Sequence, residues 1–367
     1  MKCVQVALPG RSYDVRIEPG LLSTVGELVK QVAPHERAVL VADANVADLH
    51  APVVAESMRS AGYEVLSANI EPGEQWKNLD TVRDLYQLLL DARLDRRSPL
   101  IALGGGVVGD TAGFVAATYL RGVPFIQCPT TLLAMVDASV GGKVGVNTPH
   151  GKNLIGAFYQ PSLVAIDTDT LQTLPPRELR CGLAECVKHG IVRDADLFDW
   201  IEAHLDAILA LDSATLVELV QRNVRIKSDV VAADERESGL RAHLNFGHTF
   251  GHAIEATQAY DSQHGYRHGE AVALGMVAAT RLATTTGRCD ATVLDRLVAL
   301  SARIGLPTAA ENLAPIDRLM DAMQMDKKLE SGQLRLVLPC RIGEASIVTG
   351  PAPDDVARSW ESLLPGR

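Results

Sequence analysis

The stretch Ser98-Pro-Leu-Ile-Ala-Leu-Gly-Gly-Gly-Val-Val-Gly-Asp-Thr-Ala-Gly-Phe-Val-Ala-Ala-Thr118 decides the fold class of this chain. The apolar run Pro99 to Leu103 is too short for a helix and reads as a buried parallel strand; the Ala-rich segment after it is long enough to be one. The break at Gly104, Gly105 and Gly106 permits tight backbone geometry and lets a ligand approach the main chain. Amides at the start of the following helix favour a phosphate or pyrophosphate. The triplet departs from the G-x-G-x-x-G fingerprint, because its glycines are consecutive, and alone it also suits a strand–helix turn without a ligand. Farther on, Gly141-Gly-Lys-Val-Gly-Val-Asn147 and Gly151-Lys-Asn153 place Lys143 and Lys152 in what read as glycine-rich loops. Two lysines so placed suggest an anion held by main chain and ammonium groups together.

Outward from this stretch, strand and helix alternate up to about residue 167. Residues 2–8 and 13–17 read as a hairpin, followed by helix 21–32, strand 37–42, helix 46–60, strand 63–70 and helix 77–90. Further strands fall at 125–128 and 163–166. Asp43 and Asn45 lie just past the carboxyl end of one strand, where open α/β sheets bind ligands. After Asp167 the texture changes. Helical patterns cover 177–193, 196–208, 213–232, 246–257, 269–285, 291–304 and 314–325, with a strand at 334–338 pairing with 345–348. The expectation is an α/β domain over 1–168 and a mainly helical domain over 169–367, with a parallel core in the first.

The totals exclude several classes. A net charge of −10 argues against a general nucleic-acid binder. Six scattered cysteines without C-x-x-C predict reduced thiols in a cytoplasmic protein. The first residues are too short an apolar run for a signal peptide, and no uninterrupted apolar 18-mer exists, so no membrane association is expected.

The second half carries three clusters with chemistry. In Arg180-Cys-Gly-Leu-Ala-Glu-Cys-Val-Lys-His189, Glu185 and Lys188 share a helix face. Arg241-Ala-His-Leu-Asn-Phe-Gly-His-Thr-Phe-Gly-His252 sets His248 and His252 four apart, and His264-Gly-Tyr-Arg-His-Gly-Glu270 precedes another helix. One carboxylate and two imidazoles would make a three-ligand divalent site with a position open for substrate. Spacing does not choose among His243, His248, His252, His264 and His268, and such histidines also serve as ordinary hydrogen-bonding groups in helical domains.

Taken together, Gly104–Asp110, Arg121-Gly122, Pro129–Lys143, Gly151–Gly156, Ala184–Lys188 and Leu244–Glu255 make the chain resemble the 3-dehydroquinate synthase family over almost its whole length. The resemblance implies a Rossmann-like α/β nucleotide-binding domain and a mostly α-helical metal and substrate domain. It implies NAD and one divalent metal, zinc or cobalt in its place, held by Glu185, His248 and His268. It implies NAD contacts at Asp43, Asn45, Glu74, Lys77, Gly105, Gly106, Asp110, Thr130, Thr131, Lys143, Lys152 and Thr173. Substrate contacts fall on Asp137, Lys143, Lys152, Asn153, Lys188, Lys227, Arg241 and Asn245, with His252 as a substrate or proton-relay group. Arg121 resembles a phosphate-contacting arginine contributed across a homodimer, and Lys327 or Lys328 a late lysine near the substrate. The implied activity is a carbon–oxygen lyase: it converts 3-deoxy-D-arabino-heptulosonate 7-phosphate to 3-dehydroquinate and phosphate. The alternatives are a related cyclase making 2-deoxy-scyllo-inosose or a sedoheptulose-derived cyclitol, and a metal-dependent polyol dehydrogenase. Hydride transfer between groups in the two halves predicts an active site where they meet and closure on substrate.

Overall fold

The computed structural model describes residues 1–237, 239–258, 265–329 and 333–365, the side chains of 325–329 excepted. In chain order the first elements are β1 (Lys2–Val6), β2 (Tyr13–Ile17), α1 (Val25–Val32), β3 (Arg37–Asp43), α2 (Ala44–Ser60) and β4 (Glu64–Ile70). They continue with α3 (Leu79–Asp91), β5 (Leu100–Gly104), α4 (Gly106–Thr118), β6 (Phe125–Pro129), β7 (Lys143–Thr148), β8 (Gly151–Phe158) and β9 (Leu163–Ile166). Next come α5 (Pro176–Arg193), α6 (Ala195–Leu209), α7 (Ser213–Ala233), α8 (His248–Thr257), α9 (His268–Thr285), α10 (Ala291–Ile304) and α11 (Ile316–Leu329). The chain ends with β10 (Arg335–Arg341), β11 (Glu344–Thr349) and α12 (Pro353–Glu361).

Two compact units divide the chain: Met1–Leu179 with Leu211–Arg236, and Arg180–Ala210 with Glu237–Arg367. The first holds a seven-stranded sheet in the order β1-β2-β9-β6-β5-β3-β4, parallel except for the β1–β2 hairpin. Its central strands are apolar on both faces because helices cover both. Leu40, Ala42, Ile101 and Leu103 pack towards α1 and α2, while Val39, Val41, Leu100 and Ala102 pack with residues of α3 and α4. From β3 the chain moves outward to β4 and returns past β3 to β5, so the order reverses between β3 and β5. That reversal opens a crevice at the strands' carboxyl ends, the usual ligand position of such sheets.

Two expectations need correction here. The glycine-rich segments around Lys143 and Lys152 are the strands β7 and β8 of a separate antiparallel pair, not loops. Gly145 and Gly156 sit opposite each other, and a Cβ on Gly156 would lie 2.4 Å from the Val144 carbonyl oxygen, so the glycines serve close strand approach. The helix expected over 213–232 in the second half is α7, which belongs to the first unit. Its Ser228 hydroxyl donates to the Gln5 carbonyl on β1 at 3.0 Å.

The second unit is helical apart from the β10–β11 pair. Its centre is α9, buried almost throughout from Gly269 to Ala283. Glycines allow its backbone to approach two neighbours. A Cβ on Gly269 would stand 2.3 Å from the Cys181 carbonyl oxygen of α5, and one on Gly275 would stand 2.0 Å from the Gly247 carbonyl oxygen just before α8. Close approach of α5, α8 and α9 sets the positions of the residues described next. Among the described residues no helix is long and apolar enough to cross a membrane.

Candidate active-site residues

In the second unit, α5 carries Glu185, and His248 and His268 are the first residues of α8 and α9. The Nε2 atoms of His248 and His268 face Glu185 Oε1 at 3.5 and 3.6 Å. These separations exceed good hydrogen-bond lengths. They approach the roughly 3.4 Å between neighbouring ligand atoms of a tetrahedral ion with bonds of about 2.0–2.1 Å. The three ligand atoms lie within 4.8 Å of one another. On its other side Glu185 pairs with Lys188 one turn along α5, and both side chains are fully buried. A buried carboxylate needs compensating charge. The Lys188 ammonium supplies it on one side, and the imidazole side is where a divalent cation would add to it.

The outer nitrogens are also engaged. His248 Nδ1 lies 3.2 Å from the Phe246 carbonyl oxygen, and His268 Nδ1 lies 3.4 Å from both Glu255 oxygens. Burial, followed by the Lys188 ammonium, pushes the His248 imidazole down to about 3, leaving it neutral. For His268 burial also acts downward, but the carboxylates of Glu185 and Glu255 on either side of the ring outweigh it and push the group up to about 10. A metal must displace that proton, so the three residues fit a divalent cation whose uptake releases acid. His252, four residues on in α8, stacks edge-on at 5.5 Å from the His248 ring and sits outside the three-atom group. Arg241 is buried in the turn Leu240–Asn245, and the Asn245 amide donates to Glu237 at 2.8 Å. His264 lies outside the described residues, and so do the side chains of Lys327 and Lys328.

In the first unit, the ends of β3, β5 and β6 bring together Asp43, the three glycines, Thr130 and Thr131. Gly104 has φ 155°, and a Cβ there would stand 3.0 Å from Asp43 Cβ, so a side chain would be strained and crowded. Gly105 caps α4 without a side-chain hydrogen bond, so Gly106 and its neighbours present main-chain donors. Asp43 caps α2 by accepting from the Asn45 amide at 2.9 Å; burial pushes its carboxyl up, with that amide opposing. The Thr130 hydroxyl is buried with no hydrogen-bond partner among the described residues.

A second cluster closes on itself. Lys77 Nζ donates to Asp110 and to Asn153 Oδ1, each at 2.6 Å, and the Asn147 amide donates to Glu74 at 2.7 Å. Burial pushes the Asp110 carboxyl up despite Lys77 beside it. Lys227 on α7 donates to Asp137 Oδ1 at 2.5 Å, Thr173 meets His50 at 3.0 Å, and Lys152 is half-buried. Lys143 and Arg121 are exposed; Leu120 and Arg121 both hold positive φ, 48° and 67°, a strained pair. Sequence reasoning missed Asn147 and Glu255. Glu255 closes the family-matching stretch Leu244–Glu255 and lies seven residues after His248, two turns along the same face of α8, but no role was assigned to it from the sequence.

Two family profiles match, 3-dehydroquinate synthase N-terminal over residues 67–181 and 3-dehydroquinate synthase C-terminal over 182–329. The 3-dehydroquinate synthase of Desulforamulus reducens is 50% identical over 348 residues, 95% of this chain and 96% of that protein. Among solved structures, 2-epi-5-epi-valiolone synthase from Streptomyces hygroscopicus with NAD+ and Zn2+ bound superposes with a TM-score of 0.89 at 30% identity, covering 97% of this chain and 98% of that one. A 2-deoxy-scyllo-inosose synthase complexed with carbaglucose-6-phosphate, NAD+ and Co2+ gives a TM-score of 0.90 at 25% identity, covering 99% of this chain and 100% of that one. The chain belongs to the 3-dehydroquinate synthase family.

Proposed function

We propose that this chain converts 3-deoxy-D-arabino-heptulosonate 7-phosphate to 3-dehydroquinate and phosphate, with NAD and one divalent ion, zinc or cobalt. The observation that carries the reading is the Glu185–His248–His268 group, a buried carboxylate faced by two partly buried imidazoles, in a chain 50% identical to a 3-dehydroquinate synthase. The substrate is oxidised at its C5 hydroxyl, loses phosphate by β-elimination, is reduced again at C5, and then opens and closes by an intramolecular aldol reaction. When bound, NAD takes and returns the hydride, and the ion polarises the reacting hydroxyls.

The chain's own groups bind and orient. Asp43 accepts from the nucleotide's hydroxyls, and main-chain amides from Gly105 and Gly106 onward hold its pyrophosphate. Asn45, Glu74, Lys77, Asp110, Thr130, Thr131 and Thr173 complete the nucleotide contacts. Glu185, His248 and His268 hold the ion, and Lys188 neutralises the second oxygen of Glu185. Arg241 and Asn245 suit the substrate carboxylate, and Asp137, Lys227, Lys143, Lys152 and Asn153 its hydroxyls and phosphate. His252 moves a proton, Lys327 or Lys328 adds a late cation, and Arg121 reaches the phosphate across a homodimer. The nucleotide contacts end at Thr173 and the metal ligands begin at Glu185, and the protein works in the cytoplasm.

The shared fold does not select the substrate, since cyclases acting on other sugars superpose as well. The test offers three sugar phosphates with catalytic NAD. Phosphate and dehydroquinate should appear together from the heptulosonate while bulk NADH stays flat. Preference for glucose 6-phosphate or sedoheptulose 7-phosphate, or stoichiometric NADH, would overturn the assignment.

A further inference from the structure

Glu255 lies outside every role assigned above, yet both its oxygens are 3.4 Å from His268 Nδ1. It occupies α8, the helix that starts at His248, and its side chain is 10% exposed. The opposite ring nitrogen of His268 faces Glu185 Oε1. In the neutral ring that a metal requires, a proton held on Nδ1 by Glu255 leaves the lone pair on Nε2, the nitrogen on the Glu185 side, for an ion. His248 receives the same kind of support from a neutral acceptor, the Phe246 carbonyl. One ligand is therefore held by a peptide and the other by a carboxylate. A carboxylate behind a ligating imidazole fixes its tautomer and orientation and raises its basicity. It also adds a negative charge near the cation, which the Phe246 carbonyl does not.

We propose that Glu255 is a positioning residue that sets the affinity of the metal site through His268. The proposal rests on the reading of Glu185, His248 and His268 as metal ligands. Its location also couples two ligands: Glu255 and His248 ride on one helix, so α8 supplies one imidazole and steers the other.

The experiment measures Co2+ affinity by competition with a chromophoric chelator, and the visible spectrum of the bound Co2+, on the full chain without substrate. The chains are the parent, Glu255→Gln, Glu255→Ala and His268→Ala. Glu255→Ala should bind about 10–100-fold more weakly. Glu255→Gln keeps the shape and an acceptor oxygen but loses the charge, and should weaken binding about tenfold, the lower end of that range. Both should shift the Co2+ spectrum. Parent-like affinity and spectrum in the Gln variant overturn the proposal, even where the Ala variant fails to fold. A role confined to packing is the same overturning result, seen as a lower melting temperature with unchanged Co2+ affinity. If His268→Ala binds Co2+ as the parent does, the ligand reading itself fails, and the two failures are thereby distinguished.

Discussion

The charged clusters of the two units solve the same electrostatic problem in opposite ways. In the first, Lys77 sits between Asp110 and Asn153 at 2.6 Å from each, so the buried charge is answered within the chain. In the second, Lys188 answers one Glu185 oxygen, and His248 and His268 face the other from 3.5 and 3.6 Å, wider than good hydrogen bonds. The lesson concerns what burial means at each place. A closed cluster is a rigid wall against which a ligand is laid, whereas an open group of donors is complete only when something fills it. Removing Lys77 or Asp110 should therefore cost mainly stability, and removing an imidazole of the second group mainly ligand binding.

The largest expected effect is on the open group. Glu185→Ala or His268→Ala removes one of the three proposed ligands, so bound metal should be lost and phosphate release should fall more than about 100-fold, beyond the usual cost of losing a supporting residue. Melting temperature measured in chelator should change far less than activity for His268→Ala, whereas Glu185→Ala also strands the buried Lys188 ammonium and should lower it. His252→Ala should retain the metal and lose rate. Elemental analysis finding metal gone from the His252 variant but present in the His268 variant would exchange their roles.

How much of this was legible in the sequence follows the same division. The β5–α4 junction was readable because a short apolar run, Pro99 to Leu103, followed by three glycines and an Ala-rich segment has few other structural meanings. The β7–β8 pair was not: the glycines that let its strands approach are the residues that ordinarily mark loops. The short π-helical turn Ala134–Ala138 carrying Asp137, and the late helix α12, were not anticipated either, since neither has a long periodic pattern. At the metal group, spacing reduced the choice to a handful of histidines. Selecting His268 took the family resemblance, and Glu255 needed to be seen behind the ring.

On the closed cluster, Lys77→Met leaves Asp110 without its cation. Breaking a buried pair costs about 3–5 kcal/mol, and the lower end applies because Asp110, already pushed up by burial, can take a proton instead. Urea unfolding of the single variant and of Lys77→Met/Asp110→Asn measures this, and the double variant should recover part of the loss. A single variant as stable as the parent would mean that the cluster is not the closed wall described.

A smaller effect is expected at Gly275, where a Cβ would press to 2.0 Å on the Gly247 carbonyl oxygen. Gly275→Ala should destabilise by about 1–3 kcal/mol, the usual cost of overpacking. Because His248 directly follows Gly247, metal affinity should fall with it. Lower stability with parent-like metal affinity would show that the ligands are placed independently of this helix contact.

The smallest effect tests the nucleotide end of the comparison through Asp43, an elevated acid at the end of β3. Burial pushes the Asp43 carboxyl above its ordinary value, against the Asn45 amide that it accepts, and Glu71 adds to the rise. The unfolded carboxyl titrates near about pH 4. Between that point and the higher folded value, the folded chain still holds a proton that the unfolded chain has released. Stability from this group is therefore present at low pH and lost as pH rises through the window. NAD binding should run the other way, because only the ionised carboxylate accepts strongly from the nucleotide's hydroxyls. Calorimetric titration should show NAD affinity climbing as pH rises across that window. Asp43→Asn should bind about tenfold more weakly, the cost of losing a charged acceptor, with that part of the pH dependence gone. A variant that keeps the parent's pH profile would move the titration to another group and leave Asp43 with only its cap on α2.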